Sequence, residues 1–288
     1  MSIDSASLLA DPHFFFSFRH GARVLLAIYD ENPALGGLFS SQQRWLMSHA
    51  AFALACSHDP EEPASGLYAA RFISVVQEHA VASKNTAADF IQELLEHGFI
   101  HVAPGQEDRR RKPLIPSDLP SQAMSQWLEL HLGCLDSFDG GRRAETYAAD
   151  PSLLSRLQPC IAQRILTDNA VRYQGPTFNL FTWANFGGLL MDLLIGAVDP
   201  GEHGAGLQAE RIAAGTLSIN EVARRFSISR THVMRLFNKA AEAGDIGWSG
   251  RRGESAVWIS HRLLQDYSRY QAAKHALVDA AFAEVTGG

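Results

Sequence analysis

Leu217 to Ile259 reads L-S-I-N-E-V-A-R-R-F-S-I-S-R-T-H-V-M-R-L-F-N-K-A-A-E-A-G-D-I-G-W-S-G-R-R-G-E-S-A-V-W-I. Its punctuation carries the fold. Ser218 is an N-cap with Glu221 three residues on, the capping-box pattern that starts a short helix. Ile219, Val222, Ala223 and Phe226 then fall on one face. Ser227-Ile228-Ser229 interrupts the period, and Ser229 caps a second helix that carries Val233, Leu236, Phe237 and Ala240 inward. Gly244 stops that helix, as a glycine in the left-handed conformation does. Two short apolar runs follow, Ile246 to Trp248 and Ala256 to Ile259, around a polar turn holding Gly250, Arg251, Arg252 and Gly253. Helix, tight turn, helix and a basic-tipped hairpin are the order of a winged helix-turn-helix.

The apolar stripe of the second helix leaves Arg230, Thr231, His232, Arg235, Asn238 and Lys239 on its other faces. The N-terminal residues of such a helix reach base edges, while wing arginines (here Arg251 and Arg252) meet phosphate or the minor groove. The plainer reading is a solvated basic face on a helical hairpin. Caps, turn, glycine stop and wing agree with one another, and that agreement favours DNA binding.

A length of 288 residues suits one large domain or two smaller ones. With 46% hydrophobic and 19% charged residues the composition is that of a globular chain, and a net charge of -6 argues against indiscriminate nucleic-acid binding. Ser218 to Glu254 is a locally positive exception, with seven Lys/Arg against four Asp/Glu. Cys56, Cys134 and Cys160 are odd in number and far apart, which suits a reducing cytoplasm and gives no disulfide framework or zinc pattern. There is no signal-peptide pattern. The most apolar stretch, Phe178 to Val198, is interrupted by Asn179, Asn185 and Asp192, so it reads as a buried helix rather than a membrane span.

The same pattern occurs earlier. Leu67 to Gln77 reads as helix, His79 to Ala82 as turn, and Ser83 caps a helix that Gly98 ends. Phe99 to Val102 and Leu114-Ile115 read as strands around a charged tip, Pro104 to Arg111, with Pro113 marking an edge. Ser83 to Gly98 and Ser229 to Gly244 have identical spacing. Upstream, Gly66-Leu67-x-Ala69-x-Arg71 mirrors Gly206-Leu207-x-Ala209-x-Arg211. Downstream, Ser117 and Ser260 each lead into a helix. These matches imply an internal duplication with a repeat of about 140 to 146 residues. The expected organisation is mainly α with small β-wings. It comprises an N-terminal helical arm (1–39), a first winged-helix domain (40–118), a helical linker or interface (119–175), a second winged-helix domain (176–260) and a C-terminal helix (261–288). The aromatic cluster at Phe14, Phe15, Phe16 and Phe18 is expected to pack in the core.

Ser83-Lys84-Asn85-Thr86, then Leu94-Leu95-Glu96-His97-Gly98-Phe99-Ile100, then Glu107-Asp108-Arg109-Arg110-Arg111 resemble the MarR-type bacterial transcription regulators, over Leu67 to Ser117. The resemblance implies that Ser83, Lys84, Asn85 and Thr86 head a recognition helix. It also implies that Asp108 braces the wing by pairing with a neighbouring arginine and that Arg110 reaches the minor groove; Arg109 and Arg111 are DNA-binding candidates from the charge of the tip itself. This sequence departs from that family in carrying two copies, the second lacking the Asp-x-Arg wing. A single chain could then imitate a family dimer, or a homodimer could present four heads.

The remaining candidates are weaker. His97 and His101 are separated by a helix end, so no metal site is expected. Gly201, Gly204 and Gly206 form a glycine-rich turn without a P-loop lysine. Trp45, Trp127, Trp183 and Phe186 could line an effector pocket, although core packing is the preferred reading. No catalytic constellation is evident, and neither enzymatic activity nor a cofactor is expected. The expectation is therefore a cytoplasmic, sequence-specific transcription regulator that binds double-stranded DNA, with a small-molecule effector left open. The alternatives are a plasmid-type replication initiator or architectural protein, and a winged-helix protein-interaction module that does not bind DNA.

Overall fold

A computed structural model of the chain describes residues 2–62, 64–103, 113–251 and 255–287. It is mainly helical with two small antiparallel sheets. The elements begin with α1 (Ser5–Ala10), α2 (Phe14–Glu31), α3 (Pro33–Gly36) and α4 (Gln42–Cys56). Next come α5 (Ala69–Glu78), α6 (Lys84–Glu96), β1 (Ile100–Val102) and β2 (Leu114–Pro116). The helices α7 (Asp118–Asp139), α8 (Arg143–Ala149), α9 (Leu153–Thr167), α10 (Pro176–Thr182) and α11 (Gly187–Gly196) lead to β3 (Arg211–Thr216). The chain closes with α12 (Ile219–Arg225), α13 (Arg230–Glu242), β4 (Ile246–Trp248), β5 (Ala256–Ser260) and α14 (His261–Thr286).

Packing divides the chain into two compact units that interleave along the sequence. The first comprises residues 1–3, 43–168 and 275–288, and the second comprises residues 4–42 and 169–274. In the first unit, Leu46, Phe72, Val76, Phe90, Leu132 and Ile161 are essentially without solvent exposure. Each such side chain contributes roughly 1.5–3 kcal/mol of burial free energy. Its core also holds the rings of Trp45, His49, Trp127, His131 and His275 in van der Waals sequence, with neighbouring centroids 4.1 to 4.8 Å apart. Trp45 and Trp127 are thus core residues. Arg143 gathers Asp136, Asp139 and Asp279 around one guanidinium, tying the α7–α8 turn to α14.

In the second unit, α2 lies along α11, and Arg23 Nε donates to the Gly196 carbonyl at 2.7 Å. Phe14, Phe15 and Phe18 are buried, Phe18 packing on Tyr267, while Phe16 stays exposed. Three of the four aromatics expected in the core are therefore there. The apolar run from Phe178 is two helices rather than the single one expected. The chain bends by 119° between α10 and α11, and Phe186 takes a left-handed backbone (φ 58°) against Tyr29 and Phe226. No single helix among the described residues is long and apolar enough to cross a membrane.

The two helix-turn-helix segments share most of their backbone bonds, although the first turn is one residue longer (Ala82) and only α12 has a side-chain cap, Ser218, on its first helix. After α5 and α12 the turn passes through a left-handed non-glycine residue, Ala80 (φ 49°) and Ser227 (φ 52°), at a cost of roughly 1–2 kcal/mol each. The next amide reaches back five residues in both, Val81 N–H to the Val76 carbonyl (2.9 Å) and Ile228 N–H to the Ala223 carbonyl (3.0 Å). Ser83 and Ser229 cap α6 and α13, their hydroxyls accepting from the amides of Thr86 and His232. Gly98 and Gly244 end the helices with positive φ. Phe99 and Asp245 then occupy one position. Their amides return to Leu94 and Ala240, and their carbonyls accept from Ser117 and Ser260, which open α7 and α14.

The hairpins also correspond, β1 with β2 and β4 with β5, each antiparallel. The return strand has a further partner in both heads. Leu114 bridges to Leu67 in the first, whereas β5 pairs with the full strand β3 in the second. The upstream sequence matches do not follow this correspondence. Arg71 lies in α5 but Arg211 in β3, and the glycine-rich segment is a 3-10 turn, Glu202–Gln208.

Candidate nucleic-acid interface

The second helix-turn-helix presents the more basic exterior. Val233, Leu236, Phe237 and Ala240 of α13 are buried, which fixes the rotation of the helix about its axis. Arg230, Thr231, Arg235 and Lys239 are exposed as a consequence, opposed by Glu242 alone among the acidic residues of the helix. The uncompensated amides of the first turn lie beside Arg230 and Thr231, a further positive feature for a phosphate. Arg251 at the end of the β4 side is exposed, and Arg252 lies outside the described residues.

His232 does something different from what its position suggests. Its Nε2–H donates to the Asn185 carbonyl (2.9 Å) in the α10–α11 bend, and its Nδ1 accepts from Arg235 at 3.2 Å. Both ring nitrogens are committed within the protein, so the ring braces α13 and orients Arg235. Asn238 is half-buried with its Oδ1 turned inward, and it too is withdrawn from the exterior.

The first helix-turn-helix differs. Lys84 and Asn85 are exposed at the head of α6, and Thr86 is half-buried with its hydroxyl 2.9 Å from that of Ser83. Further along the same helix, Asp89 and Glu96 are exposed, and Gln92 donates to Glu96. Glu93 is engaged by Arg44 at 2.5 Å. Lys84 is thus the only cation of α6 against three carboxylates. Asp108, Arg109, Arg110 and Arg111, the brace and tip expected of this wing, lie outside the described residues.

Behind α13, a polar hub holds the head together. The buried Asp245 carboxylate accepts from Thr177 (2.5 Å), Ser260 (2.5 Å) and Arg262 (3.0 Å). Burial pushes this carboxyl up, but the bonds from Arg262, Ser260 and Thr177 outweigh it and hold the group below its ordinary range. Arg225 makes a two-pronged ion pair with Asp30, and its carbonyl accepts from Tyr29. On the sheet, the Arg211 guanidinium lies 4.6 Å over the Trp258 ring, whose edge leaves room only for a glycine at 247. None of Asp245, Arg211 and Asn185 was expected at the site from the sequence, where Arg211 entered only as a repeat match and Asn185 only as an interruption of the apolar run. Only the Gly-Asp step after α13 hinted at one of them. Trp183 stacks on Tyr173, and Phe186 meets Tyr29 edge-on and Phe226 at a tilt.

No family model, curated protein sequence or solved structure matches the chain. The site is therefore judged on its own chemistry.

Proposed function

We propose that this chain is a non-enzymatic, cytoplasmic, sequence-specific regulator of transcription that reads double-stranded DNA through two winged helices of MarR-like type, descended from one duplicated unit. The observation that carries the reading is α13, a doubly punctuated helix that turns Arg230, Thr231, Arg235 and Lys239 outward ahead of an antiparallel hairpin. The shared caps, left-handed turn residues and five-back amide bonds of the two helix-turn-helix segments support the duplication. Base reading falls mainly to α13, with Arg230 and Arg235 as the side chains of suitable reach, and His232 holds Arg235 in place. The wing arginines Arg109, Arg110, Arg111, Arg251 and Arg252 would supply phosphate or minor-groove contacts.

One observation favours a second use of the first head. The exterior of α6 is acidic apart from Lys84, which suits contact with protein better than contact with phosphate. The test is fluorescence anisotropy of the full chain with random and selected duplexes across a salt series. A DNA reader loses affinity steeply with salt, by about one power of ten per decade for each phosphate contact. A selected-site experiment should return two unlike half-sites if both heads read DNA, or one half-site insensitive to Lys84→Ala if only the second does. Absence of salt-dependent binding would leave the protein-interaction reading in its place.

A further inference from the structure

The second unit contains a groove of about 1120 Å³ between the α1–α2 corner, the 3-10 turn and the first turns of α14. Its floor is apolar, built from Phe15, Phe18, Leu207 and Leu264. Two of the five exposed large apolar side chains among the described residues, Leu9 (44% exposed) and Phe16 (39%), line this one groove. The two thus lie together on one concave surface rather than singly on the exterior. The volume lies just above the usual range of ligand pockets, roughly 300–1,000 Å³, and is far larger than a single-ring compound needs.

The polar lining narrows the choice of occupant. Arg269 lines the groove with its side chain 48% exposed. One guanidinium nitrogen, Nη2, donates to Asp266, whose own side chain is 5% exposed, and this leaves Nε and Nη1 for a second acceptor. The acidic residue of the lining, Asp11, already accepts the His13 backbone amide at 2.8 Å. The His261 ring is satisfied internally, donating to the Leu207 carbonyl (2.9 Å) and accepting from Gln265 (2.8 Å). An open cationic fork above an aromatic and aliphatic floor complements an anion with a long apolar body.

We infer that this groove binds an aliphatic carboxylate, its chain lying on the Phe16 and Leu9 side and its carboxylate on Arg269. The inference does not rest on DNA reading, and its test contains no DNA. Isothermal titration of the full chain with decanoate, decan-1-ol and benzoate is the measurement. Decanoate should saturate at one per chain and bind about tenfold tighter than decan-1-ol, with benzoate weaker than both. Phe16→Asp and Leu9→Asp, both at exposed positions, should weaken decanoate at least tenfold while circular dichroism shows the fold intact. Arg269→Gln should abolish the preference for acid over alcohol and leave decan-1-ol binding as it was. The inference is overturned by any of three results: no saturable decanoate binding, unchanged binding in the folded Phe16→Asp and Leu9→Asp variants, or benzoate matching decanoate. Concentration-dependent dimerisation abolished by Phe16→Asp, without decanoate binding, would assign the groove to a second copy and also overturn it.

Discussion

The two helix-turn-helix segments share their backbone and differ in what they show to the outside. Serine caps, left-handed turn residues, glycine stops and five-back amide bonds recur at matching positions, so the same local chemistry fixes both scaffolds. The exteriors diverge: α6 carries Lys84 against Asp89, Glu93 and Glu96, whereas α13 carries Arg230, Arg235 and Lys239 against Glu242. The second head holds an ionic hub where the first holds an apolar anchor, Asp245 at the position that Phe99 occupies in the first. The frame is a folding solution, and function is written on the residues that the frame leaves outside.

The hub gives the largest expected effect. Asp245→Ala removes a buried carboxylate and strands Thr177 and Ser260 without their acceptor. It should cost about 1–3 kcal/mol for each hydroxyl left unsatisfied, read by denaturant unfolding, while Arg262, 60% exposed, keeps its charge in water. Phe99→Ala, at the matching position, should cost about 3–5 kcal/mol through a cavity, with no dependence on pH. The Asp245 contribution does depend on pH. Its carboxyl is held below its ordinary value, so the stability is fully present above the unfolded value and is lost as pH falls through the folded one. Equal acid sensitivity of the two variants would break the contrast between ionic and apolar anchoring.

The exteriors come next. Arg230→Ala and Arg235→Ala should each weaken binding to a selected duplex by about 1–3 kcal/mol and relax preference at one base. Lys84→Ala should change affinity by about threefold or less, because neighbouring carboxylates already oppose phosphate there. An equal loss from Lys84→Ala would show that the first head reads bases as well as the second does.

Much of this was legible in the sequence, and the boundary has a physical cause. The caps Ser83, Ser218 and Ser229 and the stops Gly98 and Gly244 act within four residues of themselves, so their signals lie in the local string. The break between α10 and α11 was not legible, because Phe186 adopts its left-handed backbone under packing from Tyr29 and Phe226, far away in sequence. The strand β3 was missed because Arg-Ile-Ala-Ala-Gly-Thr has weak strand propensity and is stabilised by pairing with β5. The bond of His232 to the Asn185 carbonyl was not legible either, because the two residues are 47 positions apart in the chain.

A third expectation separates acid effects within the second unit. Burial pushes the Asp192 carboxyl up to about 6, against the lowering effects of the Tyr267 hydroxyl and Lys274. A raised folded value means that stability is gained on protonation: it is fully present below the unfolded value and is lost as pH rises through 6. From pH 7 to 4.5 this gain is on the order of 2 kcal/mol. Asp192→Asn cannot take up that proton, so its stability should fall more than wild type over the same interval. Denaturant melts at the two pH values measure the difference, and an identical fall in both proteins would remove Asp192 from the account.

The smallest effect is the sharpest check on the shared frame. Gly98 and Gly244 end α6 and α13 with φ of 67° and 75°, and a Cβ added at either would meet nothing within 4 Å. Alanine at these positions therefore pays only for the left-handed backbone, about 1–2 kcal/mol, with no steric term to distinguish the heads. Gly98→Ala and Gly244→Ala should destabilise by the same amount within a few tenths of a kcal/mol, and neither should alter DNA affinity once the protein is folded. Thermal and denaturant unfolding of the two variants read the first expectation, and anisotropy with a selected duplex reads the second. Unequal costs would mean that one helix end is held by something beyond its own backbone, and the likeness of the two heads would then stop at the helix caps.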